Sequence, residues 1–546
     1  MEIKMTKLVF SSIITLGSLF IMVGLIIFLA MGYADAYDTQ VLIFAVIFLN
    51  LVSWLLSPML MDIINYYLFK QYPVDSKELK EKYPHVYEII DSVSKEYNFK
   101  FPKFFIVEDN NPTAFTYGSG RFNARIVVSQ GIFKYLNEKE TKAVIAHELG
   151  HIVNRDFIVM MIAATLLEIL YIIYDVFARS NKSSNSSSNS KNEGSLAAIG
   201  LLSYVFYFIG SYLILYLSRT REYLADNFSA TKTNAEDLAN ALIKLAYGII
   251  AEEDSDSSHR LLGATRALGV IDVENSKQVG ATSYITNNNK DAVSEVMVFD
   301  YVSPWAFILE LSSTHPLTGK RILALSEFSK STSKSFSYDI EGTAKKMNID
   351  YNRIYNSFSL ELFILSLPFI GFILGIVTSL IYGGEPFGVI FTFTGLGLII
   401  RTMYTYSDKN FEATTILNCM RNVYATPFKG TPVQLEGKVI GRGVPGYVFG
   451  EDMMYQDKTG IIFMDHVAGI PLLGNFLFAI DKLKKLLDKN STITGWFFRG
   501  NFAHLSLSNY TSKETNDSFS SYPVFYSYLG GIIFLVTGIA ILLGTA

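Results

Sequence analysis

The sequence has 546 residues, of which 50% are hydrophobic and 18% are charged, and its formal net charge is -4 at pH 7. Average soluble domains carry about 25% charged residues, so this composition indicates a membrane protein with several domains. No broad basic tract accompanies the small net charge, which argues against nucleic acid as a partner. The single cysteine, Cys419, excludes an intrachain disulfide and a cysteine-based zinc site. A metal site in this chain must therefore use His, Asp or Glu.

Seven apolar runs have about the length that a membrane-spanning helix needs, which is about 20 residues. They cover residues 8–31, 41–61, 157–177, 196–217, 362–382, 387–404 and 524–543. Arg401 shortens the apolar part of the sixth run. The sequence therefore predicts a mainly α-helical, multi-pass protein of the cell membrane, with the lipid bilayer as a partner.

The flanking charges of the first two runs predict the orientation. Lys4 and Lys7 precede the first run, whereas the loop at 32–40 carries two aspartates and no positive charge. Because lysine and arginine accumulate on the cytoplasmic side, the N-terminus is expected there. Later crossings return three long segments to the same side, namely 62–156, 218–361 and 405–523.

The segment before the third run is predicted to mix strands and helices. Apolar stretches at 104–107 and 125–129 indicate two short strands. Asn137 is followed three residues later by Glu140, which is the spacing of a capping pair at the start of a helix. This segment is therefore expected to be an α+β unit whose last helix leads into the membrane.

A second soluble unit is predicted between residues 428 and 510. It has alternating apolar residues in short stretches separated by turn residues, which is typical of a β-rich domain. The candidate strands are 433–439, 452–456, 460–464, 493–498 and 503–507. They predict a small barrel, similar to the OB-like domains of membrane-associated proteins.

His147, Glu148 and His151 form the pattern H-E-x-x-H on the predicted helix before the third run. Residues four apart lie on one helical face, so the two histidines can share a metal ion. The Glu148 carboxylate beside them can accept a proton from water, which is the task of the base in a hydrolytic zinc site. A helix with two surface histidines is the alternative, although this helix runs directly into a membrane span.

A catalytic zinc ion needs a third protein ligand and an open position. The third and fourth runs form a hairpin that returns the chain to the surface where the histidine helix ends. Glu222 and Asp226 follow this hairpin and are again four residues apart on one helical face. One of them would complete the site, and the other could hold a histidine ligand by hydrogen bonding. Two solvated residues on a helix face are the alternative.

These motifs, in this order, resemble the HtpX-type membrane metallopeptidases, whose wider family includes the CAAX prenyl endopeptidases. The resemblance covers roughly residues 1–330 and includes Asn154 and Asp156 after the histidine helix, Arg-Glu-Tyr-Leu-Ala-Asp at 221–226, and Thr-His-Pro at 314–316. It implies a gluzincin-like α+β peptidase domain that binds one Zn²⁺ ion per chain. The ligands implied are His147, His151 and Glu222, with Glu148 as the catalytic base and Asp226 behind the ligands.

The same resemblance implies residues that meet the substrate. His315 would be catalytic, binding the substrate or stabilising the oxyanion, with Arg321 behind it as a substrate-binding residue. Ala114 and Phe115 look like part of the family's edge strand, which can bind an extended peptide through main-chain hydrogen bonds. Thr113 stands where the family usually has Asn. From the sequence alone, His315 could also simply start a helix, and the 112–118 segment could be a turn.

The predicted spans and soluble segments divide the chain into five parts. These are two N-terminal transmembrane helices at 1–66, the zinc peptidase domain at 67–361 with its membrane hairpin at 157–217, two transmembrane helices at 362–406, a cytoplasmic β-rich domain at 407–523, and a C-terminal transmembrane helix at 524–546. Within the peptidase domain, the polar segment at 252–300 is either a lid over the site or a flexible insertion.

The function implied by the resemblance is that of a zinc endopeptidase in protein quality control. It would cleave membrane proteins, misfolded proteins or peptides at the cytoplasmic face. One alternative is a CAAX-type prenyl-protein endopeptidase. Another is a membrane scaffold with a structural zinc site, which would have four protein ligands rather than three.

Overall fold

The computed structural model of this chain describes residues 2–33, 36–183, 190–251, 289–382, 386–442, 452–470, 478, 483–500, 503–512, 514 and 516–544. Contacts divide the chain into two compact units. Within the described residues, the first unit comprises 2–249 and 310–337, and the second comprises 250–251, 289–309 and 338–544. Residues 252–288, which form most of the lid candidate, lie outside the described residues.

The described elements follow one another along the chain in three groups. The first group is α1 (Glu2–Tyr33), α2 (Ala36–Phe69), β1 (Gln71–Val74), α3 (Ser76–Lys82), α4 (Pro84–Glu96), β2 (Lys103–Val107), β3 (Ala114–Tyr117), β4 (Arg125–Ser129), α5 (Gln130–Tyr135), α6 (Glu138–Val153), α7 (Asp156–Ser183), α8 (Ser190–Lys232) and α9 (Ala235–Ala251). The second is α10 (Lys290–Val302), α11 (Pro304–Leu311), α12 (Thr318–Ser331), α13 (Ile340–Lys346), α14 (Tyr351–Tyr382) and α15 (Pro386–Thr405). The third is β5 (Glu412–Ala413), α16 (Ile416–Arg421), β6 (Thr431–Arg442), β7 (Met453–Gln456), β8 (Ile461–Asp465), α17 (Leu483–Leu486), β9 (Asn490–Arg499), β10 (Ala503–Thr511), β11 (Ser518–Ser520) and α18 (Pro523–Leu542).

Seven of the described helices are long and apolar enough to cross a membrane, namely α1, α2, α7, α8, α14, α15 and α18. They match the seven predicted runs, including the one that Arg401 shortens, and the last helix ends one residue before its run does. Helices α10 and α11 would add an eighth crossing if this pair, which is bent by 75°, formed one span. The prediction of a mainly helical, multi-pass membrane protein is confirmed.

The first unit contains a four-stranded sheet with the strand order β1-β2-β4-β3. Strands β2 and β4 are the two predicted strands and pair in parallel, whereas β1 and β3 pair antiparallel on either side of them. All residues of β4 are buried, which explains the apolar run Ile126–Val128 at its centre. Strand β3 pairs with β4 along one side, so it is an edge strand of this sheet.

Helix α6 begins at the predicted capping pair. The Asn137 side chain accepts a hydrogen bond from the Glu140 amide at 3.0 Å, and the Glu140 carboxylate accepts one from the Asn137 amide at 2.9 Å. This capping box satisfies two amide groups that a helix start leaves without partners. Since α4, α8 and β3 all pack against α6, most of its residues are buried on every side.

The second unit contains a closed five-stranded barrel formed by β6, β7, β8, β10 and β9. Four of its five pairings are antiparallel, and the β8–β10 pairing is parallel. With the short helix α17 between β8 and β9, this connectivity is that of an OB-type barrel. The interior is apolar and includes Leu435, Val439, Ile493 and Leu505, each 0% exposed. The predicted β-rich barrel is confirmed.

The second unit also takes in helix α10, because this helix supplies contacts to the barrel. Val296 belongs to the apolar core of the barrel, and Arg499 donates a hydrogen bond to the Val296 carbonyl at 2.9 Å. Contacts therefore group residues 289–309 with the C-terminal part of the chain, whereas the sequence grouped them with the peptidase segment.

Three membrane helices of the second unit, α14, α15 and α18, pack closely through small residues. A Cβ atom on Gly375 would lie 2.5 Å from the Ile390 Cα, and one on Gly395 would lie 2.5 Å from the Leu535 nitrogen. Glycine at these positions lets the helix backbones approach, as is common in membranes, where packing drives association.

Candidate active site

The candidate active site lies where helices α6 and α8 of the first unit cross. Gly150, between Glu148 and His151 on α6, faces Ala225 on α8, and a Cβ atom on Gly150 would lie 3.0 Å from the Ala225 Cα. A larger residue at Gly150 would push the two helices apart. This close crossing brings Glu222 and Asp226 of α8 to the histidines of α6.

His147, His151 and Glu222 present three possible metal ligands to one point. The Nε2 atoms of the two histidines are 3.2 Å apart. The Glu222 oxygens lie 3.5 Å from each of these nitrogens. All three ligand atoms lie within 4.8 Å of one another. Two imidazole nitrogens bound to one tetrahedral zinc ion would be about 3.3 Å apart, because each Zn–N bond is about 2.0–2.1 Å. The donor set and its spacing fit zinc.

A carboxylate lies behind each histidine. The Nδ1 atom of His147 lies 2.9 Å from Asp226 Oδ1, and the Nδ1 atom of His151 lies 2.6 Å from Asp156 Oδ2. A carboxylate on Nδ1 orients the ring and leaves Nε2 free to bind a metal. The sequence predicted such a role for Asp226. Asp156 was recognised from the sequence only as part of a family motif, with no role of its own.

Two buried arginines hold these carboxylates. Arg321 donates to both oxygens of Asp226, from Nε at 2.8 Å and from Nη2 at 2.6 Å, and Arg221 forms an ion pair with Asp156. Arg321 is only 2% exposed. The resemblance implied that Arg321 binds the substrate, but the structure places its guanidinium on Asp226, where it orients a side chain of the site.

The carboxylate of Asp226 raises the pKa values of both His147 and Arg321. Burial lowers the pKa of His147, but the carboxylates of Asp226 and Glu222 outweigh burial and raise this pKa to about 9. Burial also opposes the charge of Arg321, yet Asp226 raises the pKa of this guanidinium above its ordinary value. His147 therefore holds a proton at neutral pH that a metal ion would have to displace.

Glu148 is fully buried beside the ligands. Its Oε2 atom accepts a hydrogen bond from the Thr116 hydroxyl at 2.5 Å. Its Oε1 atom has no hydrogen-bond partner among the described residues, so this oxygen can accept a proton. Burial raises the pKa of Glu148 above its ordinary value, although the neighbouring histidines oppose this shift. The sequence did not indicate Thr116, because contact between a strand and a distant helix leaves no local pattern.

His315 also reaches the site. Its Nε2 atom lies 3.6 Å from Glu222 Oε1, and the residue is 2% exposed. Arg219 donates to the carbonyl oxygens of Glu310 and Ser313 at 2.7 Å each. This arginine therefore anchors the loop that carries His315 to α8.

Strand β3 runs beside α6 and presents its residues in alternation. Thr116 contacts Glu148, whereas Phe115 is 0% exposed and packs with Phe105 and Val127 in a separate apolar cluster. Ala114 is also 0% exposed. The Phe115 side chain is therefore part of the core. Since the Ser129 amide donates to the Thr113 carbonyl, the main chain of Phe115 also faces β4, whereas that of Ala114 faces the open side of the strand.

Comparisons with known proteins identify the family of the segment that carries this site. The profile of Peptidase family M48 matches residues 80–329. A "Protease HtpX homolog" from Pyrobaculum islandicum is 30% identical over 288 residues, which are 52% of this chain and 76% of that protein. Another from Syntrophobacter fumaroxidans is 33% identical over 178 residues. This alignment covers 32% of the present chain and spans 63% of the relative's length.

Among solved structures, the crystal structure of S. mikatae Ste24p matches 59% of this chain and 67% of its own chain. The sequence identity is 18% and the TM-score is 0.34, which is too low to define a shared fold. The HtpX relatives and the family profile, in contrast, cover the helices that carry the site. The chain therefore belongs to peptidase family M48, among the membrane metallopeptidases of the HtpX type.

Proposed function

We propose that this protein is a zinc endopeptidase that cleaves membrane proteins, or misfolded segments of proteins, beside the membrane. The observation that carries this proposal is the convergence of His147, His151 and Glu222, with Glu148 beside them. Within the described residues the candidate metal cluster has three side chains. Three ligands leave a position open, as in catalytic zinc sites, whereas structural sites generally have four protein ligands.

The zinc ligands, Glu148 and Thr116 have separate roles in the proposed reaction. His147, His151 and Glu222 hold one zinc ion, which would act as a Lewis acid on the scissile carbonyl and increase the acidity of water. Glu148 accepts the proton of the attacking water on its free Oε1 atom and later passes it to the leaving amine. Thr116 holds the other carboxylate oxygen, so that Oε1 stays directed to the site.

The buried charges around the ligands have positioning roles in this proposal. Asp226 and Asp156 fix the two imidazole rings, and Arg321 and Arg221 fix the two carboxylates. His315 lies near enough to Glu222 to donate a hydrogen bond to the oxyanion of a bound substrate. These groups are in place before a substrate binds, so little reorganisation is needed during the reaction.

The substrate is proposed to bind as an extended strand along β3. One side of this edge strand pairs with β4, and the main chain of Ala114 and Thr116 would offer hydrogen bonds on the other side. Such bonds do not depend on the substrate's side chains. They would suit a peptidase that removes many different unfolded segments.

The site is proposed to face the cytoplasm. Lys4 and Lys7 precede the first span and support a cytoplasmic N-terminus. Two crossings, by α1 and α2, bring α6 back to the N-terminal side of the bilayer, and two more, by α7 and α8, return Glu222 to the same side. The protein would then act on segments exposed at the inner surface of the cell membrane.

The test is cleavage of a membrane protein by purified wild-type enzyme and by the Glu148→Gln variant in detergent or liposomes. The variant should keep one zinc ion per chain and lose activity by roughly 100- to 10,000-fold, because it cannot accept the proton of water. Glu138→Gln is a matched control, since Glu138 is exposed on the same helix. Undiminished cleavage by Glu148→Gln would refute the proposal.

A further inference from the structure

A carboxylate lies in the middle of a membrane span of the first unit. Glu168 is the twelfth residue after Asp156 in α7, whose membrane-spanning part is Asp156–Phe177. It is exposed on the protein surface, as is Ala164 one turn before it. An ionisable side chain in the hydrocarbon region is costly, and such residues generally mark functional sites.

The partner of Glu168 is an amide on a neighbouring membrane helix. Asn50 of α2 donates from Nδ2 to Glu168 Oε2 at 2.6 Å, and also to its own helix at the Val46 carbonyl at 3.0 Å. The described residues supply no hydrogen bond to Glu168 Oε1. One oxygen of this carboxylate therefore remains available on the lipid-facing side, between α2 and α7.

The β3–β4 hairpin contacts α2 one helical turn from this polar pair. Ser119, in the hairpin between β3 and β4, donates to the Trp54 carbonyl of α2 at 2.8 Å. Trp54 is four residues from Asn50, which is one helical turn or about 6 Å along α2. The α2–α7 seam, defined here by Asn50, Trp54, Ala164 and Glu168, thus leads from mid-membrane to the hairpin of the edge strand.

We infer that the α2–α7 seam binds a transmembrane helix of the substrate that carries a hydrogen-bond donor, such as Asn, Gln, Ser or Thr, near its middle. The inference rests on the proposed peptidase function and names a substrate class for it. The free oxygen of Glu168 accepts the hydrogen bond of that donor. In lipid, a polar group on either helix has few other partners. The bound helix then passes the level of the β3–β4 hairpin about one helical turn from this donor.

The exposure of the pair distinguishes this role from simple packing between α2 and α7. A hydrogen bond that only joined these two helices would be most effective when buried between them, because lipid offers no partner for an exposed carboxylate. Ala164 adds a small side chain on the same face of α7. Small residues of this kind let a second helix approach closely.

The experiment compares three substrates in liposomes. Two are single-span proteins with the same cleavable tail, one with Asn at the middle of its span and one with Leu there. The third is a soluble unfolded protein. Glu168→Leu should raise the KM for the Asn substrate about three- to ten-fold, which is the range for one interhelical hydrogen bond in a membrane. It should leave the other two substrates unchanged.

Two variants control this comparison. Glu168→Gln keeps an acceptor oxygen and should restore cleavage of the Asn substrate. Tyr216→Phe removes another exposed membrane hydrogen bond, at 2.6 Å between Tyr216 of α8 and Ser11 of α1, and should change nothing. Equal KM values for the Asn and Leu substrates in the wild type would overturn the inference. An equal loss for all three substrates in Glu168→Leu would also overturn it, by showing a structural role.

The result is independent of the test of the peptidase itself. Suppose that Glu148→Gln abolishes cleavage of all substrates while Glu168→Leu leaves the KM for each of them unchanged. The peptidase function is then supported, and the inference that the α2–α7 seam binds a substrate helix is wrong. If Glu148→Gln cleaves normally, the proposed function fails.

Discussion

The two units of this protein bury charge in opposite ways. In the first unit, His147, Glu148, Glu222 and Asp226 are all buried within one cluster. In the second, the interior of the barrel is an apolar cluster, and the buried cation Arg499 bonds to backbone carbonyls and lies 4.4 Å from the Phe299 ring centre. Buried charges are costly unless they are paired. A cluster of several buried charges is therefore better explained by a chemical function than by a contribution to stability.

Two buried arginines, Arg321 in the first unit and Arg499 in the second, show the same difference between the units. Arg321 faces the carboxylate of Asp226, which raises its pKa above the ordinary value despite burial. Arg499 donates to backbone carbonyls, and burial lowers its pKa to about 10, although the charge of Asp300 opposes this shift. Arg321 is thus part of a charged network that ends on a histidine of the site, whereas Arg499 holds α10 to the barrel.

The largest effect is expected at the third ligand. Glu222→Ala should reduce zinc affinity by more than the roughly 10- to 100-fold loss that follows removal of a group orienting a ligand, and should abolish cleavage. Zinc content after dialysis against a chelator would show this. Retention of one zinc ion per chain by Glu222→Ala would mean that the metal uses other ligands.

A core substitution in the barrel should show the opposite behaviour. Leu505→Ala removes a fully buried side chain and should destabilise the barrel by about 2–5 kcal/mol. Hydrogen exchange should become faster in β6 to β10, with zinc content unchanged. A parallel loss of zinc would contradict the separation of chemistry and packing between the two units.

Zinc affinity should depend on pH through His147. Because the pKa of His147 is raised to about 9, a proton must leave when zinc binds below that pH. Affinity should therefore rise by up to about tenfold per pH unit from pH 7 to pH 9, and level off above it. Asp226→Asn removes a carboxylate that raises this pKa. The zinc affinity of this variant should therefore depend less steeply on pH than that of the wild type. Titrations with a competing chelator would measure both curves.

The smallest effect is expected at Thr116. Thr116→Val removes the hydrogen bond to Glu148 and should lower kcat roughly 10- to 100-fold, since hydrogen bonds to charged groups contribute about 1.5–3 kcal/mol. KM and zinc content should not change. Thr116→Ser keeps the hydroxyl and should restore kcat. Failure of the serine variant to recover would indicate that the methyl group, not the hydrogen bond, matters.

Much of the fold could be predicted from the sequence because its signals are local. The membrane spans, the strands β2 and β4, the Asn137–Glu140 capping box and the barrel strands all follow from periodicity or composition within short windows. Strand β1 was missed, since its four residues, Gln71–Val74, include a proline and lie directly after a membrane helix.

The site was partly predictable for the same reason. His147, Glu148 and His151 form a local motif, and Glu222 follows from the membrane hairpin and the resemblance. Thr116 and the partnership of Arg321 with Asp226 depend on contacts across long sequence separations, 32 residues for Thr116 and Glu148 and 95 for Arg321 and Asp226. Such pairs have no spacing rule, so only the folded chain reveals them.

X-ray absorption spectroscopy of the zinc-loaded Glu148→Gln protein tests the central claim most directly. The account predicts one zinc ion per chain bound by two imidazole nitrogens at about 2.0–2.1 Å, one carboxylate and one oxygen from solvent. The same spectrum should appear in the wild type. Four protein ligands and no solvent oxygen would instead identify a structural zinc site and contradict the peptidase assignment of His147, His151 and Glu222.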